Sequence, residues 1–392
     1  MFRVALILVN YNGLKYLPDL FASIAQLDYP RDQADIFFVD NSSSDGSLAW
    51  ARDNADQLNR RVNFIASEKN LGFAGGNNLA LRQILESNNY EYAVMLNIDT
   101  VTDAKFLSEL VKKVEADLKI GAVQSLILLH DDPKLINTSG NALHYLGFGW
   151  AGNYQKEIKA VIPSESRGQP EADHPLGEIS LGLGLPAGRD PSITLAGARF
   201  SRDDSHEVGY CSGAAVLYRI DILRQIGLLD EKFFMYHEDL ELGWRIRLAG
   251  CKNVLAPESI VYHKYQFSRH KKKWFWTERN RLLVYFSLYR WQTLLILAPV
   301  FLFVELGMLA YSLIGGWFWY KLRSYIEVLL SINYIIDKRR RIRRLRQVGD
   351  QMIFRQMTGK FDFAEIKNPV ITYIVNPILL IYFWLARVLV RW

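Results

Sequence analysis

Cysteine is nearly absent: of 392 residues only Cys211 and Cys251 are cysteines, too few for a disulfide scaffold or a Cys-based zinc site. Both read as small buried hydrophobes, and neither requires an oxidising compartment. The opening residues do not read as a secretory leader either. Met1-Phe2-Arg3 is followed by a short apolar run, 4–9, which passes into Asn10-Tyr11-Asn12-Gly13 with no small-residue cleavage site. The run reads as a first β-strand, and the part it begins is expected to stay in the cytoplasm. No internal repeat is found. Basic charge is scarce in the first two thirds: residues 1–263 hold 25 Lys and Arg against 34 Asp and Glu, whereas 264–392 hold 22 against 7. A net charge of +6 thus conceals an acidic part and a strongly basic one. The basic part is interleaved with apolar runs rich in Trp and Tyr, which points to an anionic membrane surface and away from nucleic acid.

What is present is enough apolar material for a large core and a further region, since 50% of the residues are hydrophobic and 22% charged. Apolar β-type runs at 4–9, 36–39, 62–66, 92–96 and 121–126 alternate with segments of 3.6-residue apolar spacing, such as 14–27 and 106–118. The fold class expected is α/β, a mostly parallel sheet with helices on both faces. Residues 150–206 carry many Gly, Pro, Ser and charged residues without a period, and read as a long loop or insertion. Order returns with a strand near 214–218, a helix from Asp221, a helix over 239–249 and a last strand ending near His263. An amphipathic helix over 274–291, an apolar run 293–318, a basic segment 319–369 and an apolar run 370–390 complete the chain. This divides it into a catalytic domain, 1–265, and a membrane-associated helical region, 266–392.

Three strands end in polar clusters: Asn10-Tyr11-Asn12, Asp40-Asn41-Ser42 and Asn97-Ile98-Asp99. In an open parallel sheet the carboxyl ends share one crevice, where ligands bind. Asp40 stands where a carboxylate can accept hydrogen bonds from a base or ribose, although Ser42 to Asp45 equally suit a turn and helix cap. The stretch from Asn70 to Asn78, with Gly72, Gly75, Gly76 and Asn77, places glycines ahead of a helix, where backbone could approach a phosphate or sugar. Asp99 at its strand end suits a hard divalent cation held against a diphosphate. Glu238, Asp239 and Glu241 are candidate general bases. Asp239 and Glu241 point to nearly opposite sides of one helix, and Glu241 is expected to form a surface ion pair with Arg245 one turn on.

The ordered motifs Val-Asn-Tyr-Asn-Gly, Val-Asp-Asn-Ser-Ser-Ser-Asp-Gly, Asn-Leu-Gly-Phe-Ala-Gly-Gly-Asn, Leu-Asn-Ile-Asp-Thr and His-Glu-Asp-Leu-Glu-Leu-Gly-Trp-Arg resemble those of family 2 glycosyltransferases, especially the rhamnosyltransferase-like branch. The resemblance spans residues 3 to about 265. It implies a GT-A fold, a nucleotide-sugar donor, Mn²⁺ or Mg²⁺, and inversion at the anomeric carbon, with rhamnose as the sugar and a lipid-linked or polysaccharide acceptor. Carried over by position, it makes Asp40 a nucleotide ligand, Asn97 and Asp99 the two ends of a metal-binding Asp-x-Asp, His263 a further metal ligand and Asp239 the base. Asn97 departs from the strict pattern and leaves Asp99 as that motif's one charged ligand. Arg279, on the helix after the Lys271–Lys273 cluster, matches a position that faces a diphosphate or lipid phosphate. The Gln-x-x-Arg-Trp signature of processive synthases is missing.

The run 293–318 is long enough to span a bilayer. If it crossed once, the segment 319–369, with 12 Lys and Arg against 5 Asp and Glu, would lie outside, against the positive-inside tendency. The basic segment is therefore expected on the cytoplasmic membrane surface, with 293–318 bent back or partly in the plane near Pro299, Gly307 or Gly315-Gly316. Two other readings stay open: a polyprenyl-phosphate sugar synthase of the same fold, and a non-catalytic nucleotide-sugar-binding membrane scaffold.

Overall fold

The structure is a computed structural model and describes residues 2–161, 206–265, 271–363 and 368–392. Most of the long loop expected at 150–206, residues 162–205, lies outside them.

Strand β1 (Val4–Asn10) is apolar at every position but its last, the pattern of a strand buried on both faces. Val4, Leu6 and Leu8 enter one core and Ala5 and Ile7 the other, as the two-residue pleat dictates. Strands β2 (Ala34–Asp40), β3 (Val62–Ala66) and β4 (Tyr92–Asn97) lie parallel to it. In chain order follow β5 (Thr100–Thr102), β6 (Ile120–Leu129), β7 (Ile136–Thr138), β8 (Asn141–His144), β9 (Gly149–Ala151), β10 (Ala215–Arg219), β11 (Lys252–His263) and β12 (Met357–Thr358). The main sheet runs β3-β2-β1-β4-β10-β6-β11-β5, with β7 also paired to β6. Strand β10 is antiparallel to both neighbours. A small sheet, β12-β8-β9, stands apart.

Helices α1 (Leu17–Ala25), α2 (Ser47–Asp53), α3 (Gly72–Ser87), α4 (Phe106–Glu115), α5 (Ile158–Val161), α6 (Ile220–Ile226) and α7 (Glu238–Leu248) accompany the sheet. Residues of α1, α2 and α4 fill one core, and residues of α3, α6 and α7 fill the other. This is the helix-covered, mostly parallel sheet implied by the alternation of runs.

Beyond it lie α8 (Lys272–Leu288), α9 (Trp291–Ile314), α10 (Phe318–Leu330), α11 (Ile332–Leu345), α12 (Asp350–Phe354) and α13 (Asn376–Leu389). They do not hang free. Leu240, Trp244 and Leu248 of α7 share a third core with Leu282 and Tyr285 of α8, Val300 and Val304 of α9, Ile335 of α11 and Phe383 of α13. That core crosses the boundary expected at residue 265. Helix α8 departs from the expected surface amphipath: Glu278, Arg279, Asn280 and Arg281 are all buried, because α7 lies on one side of it and α10 and α11 on others. The basic segment is helical over α10 and α11.

Helix α9 continues through Pro299 and Gly307 and ends at Gly315-Gly316. Gly316 has φ +67°, and Trp317 N–H donates to the Ser312 carbonyl at 3.0 Å, a Schellman-type stop that glycine makes inexpensive.

Candidate active site

Register sets the site. Asn10 pairs with Asp40 across β1 and β2, and Val9 with Asn97 across β1 and β4, so the three polar clusters end at one rim. Much of the first two is spent on holding the turns. Asn10, fully buried, directs its amide nitrogen at Asp40 Oδ1 (3.0 Å), Ser43 Oγ (3.0 Å) and Ser47 Oγ (2.7 Å). Asp40 Oδ2 accepts from Ser43 N–H at 3.1 Å, and Asn12 Oδ1 accepts from Ser44 N–H at 2.8 Å. Ser42 has φ +67° and sits at the turn's exposed edge. Tyr11 is exposed.

The glycines of the next motif lie inside the first turns of α3 rather than ahead of it, and the protein's own atoms occupy the space they free. A Cβ on Gly72, whose φ is +70°, would stand 2.3 Å from the Phe234 carbonyl oxygen, and one on Gly76 would stand 2.7 Å from Val9 Cγ1. Gly75 is similarly close to the Leu71 side chain. Asn41 fixes this turn by accepting from Leu71 N–H (2.9 Å) and donating to the Gly72 carbonyl (3.0 Å). Asn77 bonds back to the Phe73 carbonyl within the helix.

At the end of β4, Asn97 N–H donates to the Ala214 carbonyl (2.9 Å). The chain turns through Asp99 into β5, whose Thr100 pairs with His263 of β11. That pairing brings Asp99 Oδ1 to 3.2 Å from His263 Nε2, while His263 Nδ1 lies 3.0 Å from Asn137 Oδ1. Among the described residues no group of three or more His, Cys, Asp and Glu side chains gathers as a metal site.

Asp239 reaches the same rim from α7. Its Oδ2 accepts from Gly213 N–H (3.2 Å), and Gly213 immediately precedes the Ala214 that binds Asn97. Asp239 and Asp99 are thereby linked through four residues, Gly213, Ala214, Asn97 and Ile98. Burial pushes the Asp239 carboxyl up to about 6 from a normal 3.8. Glu238 is raised well above the usual carboxylate range by burial and then by the charge of Asp239, and its Oε2 has no hydrogen-bond partner. Two adjacent carboxyls in one dry environment cannot both ionise readily. Of the two, Glu238 is pushed the more strongly toward its neutral form.

Glu241 points away, as its spacing required, but its pair with Arg245 is buried, which corrects the expected surface bridge. Arg245 Nε donates to both Glu241 oxygens at 2.8 and 2.9 Å, and Lys338 of α11 adds a contact at 2.9 Å. Arg279 also lies elsewhere than a phosphate ligand would. It is buried, its guanidinium is stacked 4.6 Å from the Trp276 ring centre, and it bonds to carbonyls of residues 232 and 233. Sequence reasoning placed Asn41 in a polar cluster without its role and gave none to Gly213 or Asn280, since each acts through contacts 26 to 47 residues away.

The family model described as Glycosyl transferase family 2 matches residues 5–167. Over these residues the chain is similar to that family. The chain is 24% identical over 244 residues to the low-salt glycan biosynthesis hexosyltransferase Agl10 of Haloferax volcanii, covering 62% of this chain and 61% of that one. It is 36% identical over 75 residues to the N-acetylglucosaminyl-diphospho-decaprenol L-rhamnosyltransferase of Mycobacterium tuberculosis, covering 19% of this chain and 24% of that one. The chain thus spans from about a quarter to about three fifths of these relatives' length. Among solved structures, a mannosyltransferase of Pyrobaculum calidifontis in complex with GDP-Man and Mn²⁺ superposes with TM-score 0.48 at 14% identity, over 98% of this chain and 87% of that one.

Proposed function

We propose that the glycosyltransferase moves a sugar from a nucleoside-diphosphate donor to a hydroxyl of a lipid-linked or growing surface glycan, with inversion. The observation that supports this reading is the run of backbone contacts that links Asp239 to Asp99. In the proposed step, Asp239 takes the proton of the acceptor hydroxyl, the acceptor oxygen bonds to the anomeric carbon, and the bond from that carbon to the diphosphate oxygen breaks. Asp40, Asn12, Tyr11 and Asn97 would line the donor side.

The donor set of Asp99 and His263 fits a divalent cation. If Nδ1 donates to Asn137, a neutral His263 turns a bare Nε2 lone pair toward a carboxylate oxygen at 3.2 Å. Two acceptors at that separation need a proton or a cation between them. Asp99 and His263 would hold Mn²⁺ or Mg²⁺, which would offset charge on the leaving group; an imidazole ligand tilts the preference to Mn²⁺. The choice of rhamnose as the sugar is supported by the 75-residue likeness to a rhamnosyltransferase.

The protein is further proposed to lie on the cytoplasmic face of the cell membrane, α9 and α13 embedded in one leaflet. Helix α9 and the helical stretch Ile371–Leu389 that ends in α13 have the length and apolarity of a membrane span. Helix α9 buries Thr293, Leu297, Val300 and Val304 along one face and exposes Leu295, Leu302, Leu306 and Leu313 along the other, the stripe of a helix lying along a surface.

The test is a panel of radiolabelled nucleotide sugars incubated with cell membranes and Mn²⁺. One donor is expected to label the lipid fraction with the wild type, and Asp99→Ala to reduce that label by about 10²-fold or more. No label from any donor, or full label with Asp99→Ala, contradicts the reading.

A further inference from the structure

The segment that leads into α7 is held in an uncommon shape. Phe234, Tyr236 and His237 have φ of +63°, +66° and +67°, a region that non-glycine side chains seldom adopt and that persists only when the surroundings over-determine it. Neighbours press on both sides of this segment. In front, the Phe234 carbonyl accepts from Ala74 N–H at 3.3 Å and leaves no room for a side chain on Gly72. Behind, the Asn280 amide nitrogen lies 3.0, 2.9 and 2.7 Å from the carbonyls of Phe233, Met235 and Tyr236. Asn280 is fully buried, and its own Oδ1 accepts from Arg279 Nε (3.0 Å) and Nη2 (2.7 Å). The Phe234 ring stacks on Trp276 of the same helix at 5.1 Å.

One side chain on α8 therefore faces the three carbonyls of the segment that carries Glu238 and Asp239, and an arginine fixes that side chain's orientation. His237, which caps α7 without a side-chain bond, cannot do this. Burial pushes its imidazole down to about 4, and its Nε2 has no partner.

We propose that Asn280, oriented by Arg279, is a positioning residue for sugar transfer: by clamping the backbone of residues 233–236 it holds the Asp239 carboxylate against Gly213 N–H and away from water. Donor groups bind at the strand ends, so the clamp acts on the rate of transfer rather than on donor affinity. It rests on the reading of Asp239 as the base.

The test uses the full chain, with UDP, GDP and dTDP in Mn²⁺ as binding probes and the donor found in the panel above for single-turnover transfer across pH. Asn280→Ala is expected to slow transfer at least about tenfold while the affinity for the bound nucleotide changes by less than about threefold. The rising limb of its pH profile moves below about 6 as water reaches the carboxylate. Arg279→Lys, which loses the fixed fork but keeps the charge, is expected to shift both in the same direction by less, and serves if Asn280→Ala does not accumulate. An unchanged pH limb and an unchanged rate per nucleotide-binding site in both variants overturn the proposal. If Asp239→Asn instead transfers as well as wild type, the reading of the base fails, a distinct result.

Discussion

Asp239 differs from its neighbours on α7 in having both oxygens met by backbone N–H groups, Gly213 and Leu240, which resist the rise that burial causes. The balance leaves it near 6, where a carboxylate is ionised at neutral pH yet basic enough to take a proton. Since the base must be ionised, transfer is expected to fall as pH drops through about 6. A kcat profile whose acid limb sits near 4 instead would mean that water reaches the carboxylate freely. The motif order singles out Asp239 as the expected base. Its setting was not legible. Nothing in the residues showed that Glu238 beside it would be buried with an unpartnered oxygen, or that Arg279 would turn to the carbonyls of residues 232 and 233. The glycines of Asn70 to Asn78 were legible as places where backbone comes close, but what comes close is the Phe234 carbonyl, 162 residues away from Gly72.

At the scale of elements, strands and long helices were readable to within a few residues, since each carries its own period. The short strands β5, β7, β8, β9 and β12 were not, because two to four residues have no period to read. They are made by pairing alone, and β5 is the one that places Asp99 beside His263. The helices after residue 270 were legible as apolar or basic but not in their packing. Glu305, the lone charge of the apolar run, is the joint: it meets Arg281 of α8 and Lys321 of α10, 2.8 Å from the latter, in a group that includes Glu278. Burying such ions costs several kcal/mol each unless they are matched, so α9 is fastened at its middle to the helices beside the sheet. A helix fastened there cannot carry its far end across a bilayer without taking Arg281 and Lys321 with it. The variants Trp319→Cys, just past the α9 turn, and Arg344→Cys, on exposed α11, are therefore expected to react with an impermeant thiol reagent in inside-out vesicles and not in intact cells. Labelling of either in intact cells would show that α9 spans.

Over the whole molecule, three of the cores share two elements. The sheet buries one core under α1, α2 and α4 and a second under α3, α6 and α7, and α7 also enters a third, with the helices after residue 270. The helix bearing the proposed base therefore packs against both the main sheet and the helices proposed to face a lipid-linked acceptor. The excess of basic charge after residue 263 agrees with that division, with α11 offering Arg340, Arg341, Arg343 and Arg344 to solvent or headgroups. The measurement that bears most directly on this account is single-turnover transfer by Asp239→Asn beside its affinity for the nucleoside diphosphate in Mn²⁺. Loss of transfer by about 10³-fold or more with affinity kept is expected, because the variant retains shape and loses the proton acceptor. Transfer near the wild-type rate would contradict it, and would favour an acceptor that attacks with a phosphate oxygen and needs no base.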